Sequence, residues 1–171
     1  MNDEERFEAL FRATYPQVLA YGRRRAPTPV AHDIAAETYA IAWRRRRQLF
    51  DSDPALPWLL AIARRVSANH SRSDRRWRRL RQRLSAEPVV PVSPGTRDMP
   101  AVRAALGRLS AADQEILRLA YWDDLTHAEI AAVLGTSANS VGVRLHRARQ
   151  RLRTHLSRDP LNQAMEAASA E

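Results

Sequence analysis

A short stretch around residue 140 carries polar side chains at spacings that suit the reading of DNA bases. Asn139, Ser140 and Arg144 would share the outer face of one helix, with Val143 between them. Arginine can bridge two acceptors on guanine and asparagine can pair bidentately with adenine, both in the major groove. We therefore predict base contacts from these polar residues. Contacts mostly to phosphates are expected, further along the helix, from Arg147, Arg149 and Arg151.

The sequence around these residues predicts the two helices that would position them. Thr126-x-x-Glu129 has the pattern of a capping box, which starts a helix, and Gly135 can supply the positive φ that ends it. Ser137 can cap a second helix whose apolar residues recur at intervals of four, three and four, namely Val141, Leu145, Ala148 and Leu152. This arrangement predicts a helix-turn-helix, with a plain helical hairpin as the alternative.

Gly142 is an unusual residue for the interior of the second helix. Glycine there costs about 1 kcal/mol relative to alanine. It also removes a side chain from an outward-facing position of the helix. Two interpretations stay open: the position requires close approach of a backbone, or the helix binds DNA weakly.

The charge of the chain indicates a polyanionic partner. The chain has a net charge of +9, and all 28 basic residues are arginine. Residues 1–84 hold 18 arginines against 9 acidic residues, so nearly all of the excess lies in the first half. Such a concentration of positive charge in one half of the chain favours nucleic acid as the partner. The alternative is an arginine face that is simply solvated.

Composition argues against several other classes of protein. The 171 residues include no cysteine, which excludes disulfides and thiolate metal sites. Neither a membrane-spanning apolar run nor a secretory signal is seen, so we expect a cytoplasmic chain. The five histidines are scattered, and neither a phosphate-cradling glycine loop nor a nucleophile motif occurs. We therefore expect no metal, no cofactor and no enzymatic activity.

The pattern of prolines divides the chain into two helical pieces. Residues 85–100 contain four prolines and a glycine without helical periodicity, which predicts an extended linker. No run with strand-like alternation appears, so the fold class is all-α, with two small helical domains. The predicted boundaries are a first domain over 1–84, the linker over 85–100, a second domain over 101–156 and a tail over 157–171.

Three details of the first domain can be predicted from its prolines. Pro16 lies in an apolar helical stripe and either kinks that helix or starts a new one. Thr28-Pro29 predicts a helix that starts with threonine as the cap and proline in the first position. A third helix is expected to begin near Pro57 and to become strongly basic.

The second piece closely resembles region 4 of the sigma-70 family, in its extracytoplasmic-function (ECF) subgroup. This resemblance covers Leu106 to Leu152, in the segment LGRLSAADQEILRLAYWDDLTHAEIAAVLGTSANSVGVRLHRARQRL. The first piece resembles region 2 of the same subgroup through FEALFRATYPQVLAY, AHDIAAETYAIAW and LPWLLAIARRVSANHSRSDRR. The resemblance implies a sigma factor that binds RNA polymerase core and directs it to promoter DNA.

The resemblance implies a polymerase-binding role for part of region 2. An acidic helix face would dock on the clamp of the largest polymerase subunit, and Asp33 and Glu37 fall at that place, four residues apart. Alternatively these acids pair with Arg44–Arg47 or with other arginines of the same domain. Ala36 stands where the family usually has glutamine. Region 4 would contact the flap region of the polymerase.

The resemblance also implies how the two regions divide the promoter. Region 4 would hold the minus-35 duplex, and the third helix of region 2 would capture melted bases of the minus-10 element. Trp58 is a candidate stacking platform there, although a tryptophan heading an apolar stripe is more often part of a core. Arg65 replaces a common asparagine of the family. Charge and polar contacts to the melted strand would come from Arg64, Arg65, Asn69, Arg72, Arg75 and Arg76.

The resemblance implies one more partner, and the sequence leaves two rival functions open. By analogy with the subgroup, we expect an anti-sigma factor that holds the protein inactive. The main rival is a stand-alone helix-turn-helix regulator, whose first domain would mediate dimerisation or sensing and which would need no polymerase. A protein-binding adaptor that reads no DNA is a third class, and it would lose nothing when Arg144 is replaced.

Overall fold

The computed structural model describes residues 2–82 and 100–157, with side chains over 2–73 and 101–157. The chain divides into two compact units, Met1–Gly95 and Thr96–Glu171. The described residues form helices and no strand, which confirms the all-α, two-domain prediction. In chain order the helices are α1 (Asp3–Arg23), α2 (Thr28–Arg44), α3 (Arg46–Phe50), α4 (Ala55–Gln82), α5 (Pro100–Gly107), α6 (Ala111–Tyr121), α7 (His127–Leu134) and α8 (Ala138–Ser157).

In the first unit, α1, α2 and α4 pack against one another. Leucine, isoleucine, valine and alanine make up most of the core, and Tyr21 of α1 is fully buried in it. Gly22 allows α1 and α2 to cross closely, because a Cβ there would lie 3.1 Å from the carbonyl oxygen of Ala31. A side chain at Gly22 would therefore push the two helices apart.

The start of α2 differs from the sequence prediction. The predicted cap, Thr28, is the first residue of the helix, and the N-cap is Pro27, which makes no side-chain cap hydrogen bond. Only the cap assignment was wrong. Pro27, with φ at −57° and ψ at 153°, takes the N-cap position, so Thr28 is already part of the helix and Pro29 follows in its first turn. The alternative left open at Pro16 is also resolved: α1 continues through it as one helix.

In the second unit, α8 packs against α5, α6 and α7. The side chains of Val141, Leu145 and Ala148 are buried, so these three residues form the inner stripe of α8. Ser110 caps α6 by accepting a hydrogen bond from the backbone N–H of Asp113 at 3.1 Å. The inner stripe thus determines which side of α8 remains exposed.

Parts of the predicted domain scheme lie outside the described residues. Residues 83–99, which include most of the predicted linker, and residues 158–171 of the predicted tail belong to these parts. Within residues 2–82 and 100–157, no helix is long and apolar enough to cross a membrane.

Candidate DNA and polymerase interfaces

Helices α7 and α8 form the predicted helix-turn-helix. The Thr126 hydroxyl accepts from the backbone N–H of Glu129 at 3.3 Å, and the Glu129 carboxylate accepts from the backbone N–H of Thr126 at 2.8 Å, which completes the capping box. Gly135 ends α7 with φ at 66°. The Ser137 hydroxyl then accepts from the backbone N–H of Ser140 at 3.2 Å and caps α8. All the predicted local signals of this motif are confirmed.

The outer face of α8 carries most of the predicted base-reading residues. Asn139, Val143, Arg144 and Arg147 are exposed, opposite the buried stripe. Ser140 is half-buried, and its hydroxyl accepts a hydrogen bond from Ser137 at 2.9 Å. Ser140 therefore takes part in the cap as well as lying at the start of the exposed face.

Helix α4 presents a polar face on the side opposite the first core. Leu59, Ala63 and Val66 are buried, whereas the predicted DNA-contacting residues on the other side are exposed. These exposed residues are Arg64, Arg65, Asn69 and Arg72. The Arg72 guanidinium donates to Oδ1 of Asn69 at 2.6 Å, so these two side chains are already oriented together. Arg75 and Arg76 lie on the same helix, but their side chains fall outside the described part.

The acidic pair on α2 is exposed as predicted, but its contacts differ from the alternative considered. Asp33 and Glu37 lie on one face of α2, and Glu37 pairs with Nε2 of His70 on α4 at 3.2 Å. Neither acid contacts the Arg44–Arg47 run within the described residues. Arg46 instead pairs with Asp3 at 2.8 Å. Within the described residues the acids therefore form no ion pair with this run or with another arginine, and the partner of Glu37 is a histidine.

Comparison with known proteins agrees with both units. The family model "Sigma-70 region 2" matches residues 10–78, and the model "Sigma-70, region 4" matches residues 100–152. The chain is 32% identical over 140 residues to RNA polymerase sigma factor NccH of Alcaligenes xylosoxydans xylosoxydans, which covers 74% of this chain and 73% of NccH. The chain belongs to the sigma-70 family.

Further comparisons place this sigma-70 family member in the ECF subgroup. It is 28% identical over 162 residues to ECF RNA polymerase sigma factor RpoE of Cereibacter sphaeroides, covering 91% of this chain and 88% of that protein. Its fold is similar to that of the sigma factor RpoE of Bartonella quintana, solved with the anti-sigma factor NepR. That match has a TM-score of 0.66 and 22% identity, and it covers 91% of this chain and 99% of the other. As a sigma factor, the protein serves promoter-specific transcription initiation by RNA polymerase.

Two arginines predicted to contact phosphate have partners within the region 4 unit. The Arg151 guanidinium donates to both carboxylate oxygens of Asp113, at 3.0 and 2.8 Å, and thereby ties α8 to the first turn of α6. The Arg149 guanidinium lies 5.4 Å from the centre of the Tyr121 ring. These contacts favour a structural role for Arg151. Arg149 combines a contact with the Tyr121 ring with its predicted contact to phosphate. The partner Asp113 could not be predicted from local spacing, because it lies 38 residues before Arg151 in the chain.

Replacing Arg151 with alanine is expected to lower the free energy of unfolding of the region 4 unit by about 1 kcal/mol. The side chain of Asp113 is only 13% exposed, so its carboxylate would lose a charged donor, the Nη1 of Arg151, in a poorly solvated place. Thermal unfolding of Arg151→Ala should be compared with that of Arg153→Ala, which removes an exposed arginine from the same helix. Equal melting temperatures for the two variants would show that the Asp113 contact contributes nothing.

The tryptophans of region 2 differ in their surroundings. Trp43 packs against Phe7 with ring centres 5.0 Å apart, and the Arg46 guanidinium lies 4.8 Å from the Trp43 ring centre. Trp43 therefore belongs to an aromatic cluster between α1 and α2. Trp58 is half-buried at the start of α4. Its partial exposure leaves a stacking role open to it.

Tyr39 connects the same cluster to α1 through a hydrogen bond. Its hydroxyl and that of Thr14 lie 2.8 Å apart, and its ring is 5% exposed. Burial raises the pKa of Tyr39 to about 12 from its ordinary value of 10.0, partly offset by the hydrogen bond to Thr14. The folded protein thus favours the protonated phenol more strongly than the unfolded chain does.

This pKa predicts how stability depends on alkaline pH. Because the folded pKa lies above the unfolded one, the stabilisation from Tyr39 is complete below pH of about 10 and is lost as pH rises through about 12. Tyr39→Phe should cost about 1 kcal/mol at neutral pH through the lost hydrogen bond. Denaturant unfolding at a series of pH values should show that this difference shrinks above pH of about 10. A difference that stays constant with pH would contradict the prediction.

Proposed function

We propose that the region 4 unit holds the minus-35 duplex with α8 in the major groove. Asn139, Ser140 and Arg144 would contact bases, and Arg147 would contact phosphate. The observation that carries the proposal is the exposed face of α8. Within the described residues Asn139, Arg144 and Arg147 make no intramolecular hydrogen bond or ion pair, so binding DNA would break none. Side-chain donors that are exposed and unpaired can bind the acceptor atoms of base edges and phosphates.

The proposal assigns melted minus-10 DNA to the exposed face of α4. Arg64, Arg65 and Arg72 supply positive charge along one side of the helix, and Asn69 supplies a polar group oriented by Arg72. A positively charged face next to a half-buried aromatic ring, here that of Trp58, is typical of single-strand binding. Capture of unpaired bases there would hold the transcription bubble open. Arg75 and Arg76 remain predictions for the same surface.

The proposal assigns contact with the polymerase clamp to the acidic face of α2. Asp33 has no hydrogen bond or ion pair within the described residues, so its charge is available to a basic partner. Glu37 is half-exposed, and its carboxylate lies 3.2 Å from Nε2 of His70. The region 4 unit would contact the flap. This proposal gives the chain no catalytic step of its own, and it places the chain in the cytoplasm with the polymerase.

An anti-sigma factor is the regulatory partner that we propose. Support comes from the fold similarity to RpoE of Bartonella quintana, which was solved in complex with the anti-sigma factor NepR. Affinity capture of this chain from its native cells should recover a second regulator besides polymerase subunits. Repeated recovery of polymerase alone would remove this part of the proposal.

Transcription from a promoter library tests the proposed function as a whole. Purified core polymerase is used with and without the protein, and the transcripts are sequenced. We expect transcripts that depend on the protein and share two upstream elements. If the protein instead fails to bind core but binds a specific duplex by itself, it acts as a stand-alone regulator and the proposal is wrong.

A further inference from the structure

The outer face of α8 contains a hollow centred on Gly142. Its volume is about 410 Å³, and it opens on the same face as the exposed polar residues. Two rows of residues spaced by four along α8 border it, and His127 closes it on the α7 side. The α8 residues that line it are Ala138, Asn139, Gly142, Val143, His146 and Arg147.

The packing of the region 4 unit does not require glycine at position 142. A Cβ built there would lie 3.8 Å from the imidazole of His127, which is an ordinary van der Waals distance. Gly142 has no positive φ either, unlike Gly135. Because glycine lowers helix stability relative to alanine, this position loses stability without any internal gain. The missing side chain therefore matters only on the outer face.

Val143 gives the hollow an aliphatic wall. Its side chain is 45% exposed, and it is one of two exposed large hydrophobic residues among those described. Ala138 adds a second aliphatic group. The other side chains that line the hollow are polar, namely His127, Asn139, His146 and Arg147. Exposed valine contributes nothing to the core and is a weaker helix former than alanine. An aliphatic patch within a polar, basic face fits a small apolar group on a polyanion such as DNA.

We propose that this hollow receives the C5 methyl group of a thymine and that Gly142 and Val143 select a T·A pair at one position of the bound duplex. The inference rests on the proposed function, in which α8 lies in the major groove. The thymine methyl is the apolar group that base pairs present there, and aliphatic side chains are its usual contacts. In the proposed function Arg147 contacts phosphate and Arg144 contacts a neighbouring base, which would hold the hollow against the base edges. The missing Cβ at Gly142 makes room for the methyl group.

Deoxyuridine substitution tests this inference, because it removes only the methyl group. The holoenzyme is bound to a promoter duplex selected from the library, and each thymine of the upstream element is replaced in turn by deoxyuridine. We expect one replacement to weaken binding about fourfold, as for one buried group the size of a methylene. Replacements at the other positions should change the affinity little.

Two variants show which residues are responsible. Gly142→Ala fills part of the hollow without a clash, so this variant should bind thymine and deoxyuridine duplexes about equally. Thermal unfolding should show that its region 4 unit stays folded. Val143→Ser should also lose the preference. Arg153→Ala, on the same helix, should keep it.

The outcomes separate this inference from the proposed function. Sequence-specific binding that is lost in Arg144→Ala but is equal for thymine and deoxyuridine at every position would overturn the inference alone. A preference that survives unchanged in Gly142→Ala and Val143→Ser would do the same. Binding with no sequence preference at all would overturn both.

Discussion

Arg144→Ala is expected to weaken binding of the holoenzyme to its promoter by about 10- to 100-fold, equivalent to roughly 1–3 kcal/mol. Arg144 is exposed on the outer face of α8, two turns after the Ser137 cap, and has no intramolecular partner within the described residues. A guanidinium in this place can donate two hydrogen bonds to one guanine. Its loss should therefore relax discrimination at one base pair as well as lower affinity.

Arg153→Ala is the matched control for this prediction. It removes the same charge from an exposed position near the end of the same helix. Competition binding at fixed salt, with every base of the upstream element varied, measures affinity and preference together. Arg153→Ala should reduce affinity slightly and equally for all sequences, as expected for loss of a general electrostatic contribution. If both variants lose the same affinity on every sequence, Arg144 contacts phosphate and reads no base.

Asp33→Arg is expected to weaken binding to core polymerase by about 100-fold or more. Reversal of the charge would place an arginine against the basic surface that the proposal assigns to the clamp, and like charges in an interface cost several kcal/mol. Asp33 is exposed and lies one helical turn before Glu37. The side chain does not contribute to the first core, so the variant should fold normally.

Glu4→Arg is the matched control for the polymerase interface. It makes the same change of charge at an exposed site on α1 of the same unit, before the residues that match region 2. Because the chain has no cysteine, one introduced cysteine can carry a fluorophore for anisotropy titrations with core polymerase. Comparable losses for Asp33→Arg and Glu4→Arg would indicate general electrostatic attraction. Unchanged binding of Asp33→Arg would remove the acidic face of α2 from the interface.

The features predicted correctly from the sequence are those fixed by neighbours along the chain. The capping box from Thr126 to Glu129, the turn at Gly135 and the cap at Ser137 all depend on hydrogen bonds or backbone angles within about four residues. The inner stripe of α8 follows from helical periodicity in the same way. Because these signals are local, the helix-turn-helix and its outward-facing residues could be predicted without the tertiary structure.

The features that only the tertiary structure decided join residues far apart in the chain. Arg151 and Asp113 are 38 residues apart, and Glu37 and His70 are 33 apart. Which arginine or histidine meets which carboxylate depends on how helices cross, and neither spacing nor composition encodes that geometry. The sequence by itself therefore determined the helices and their exposed chemistry. The packing of helices decided which of those charges remain free for DNA and polymerase, because an ion pair between helices forms only where the core brings their surfaces together.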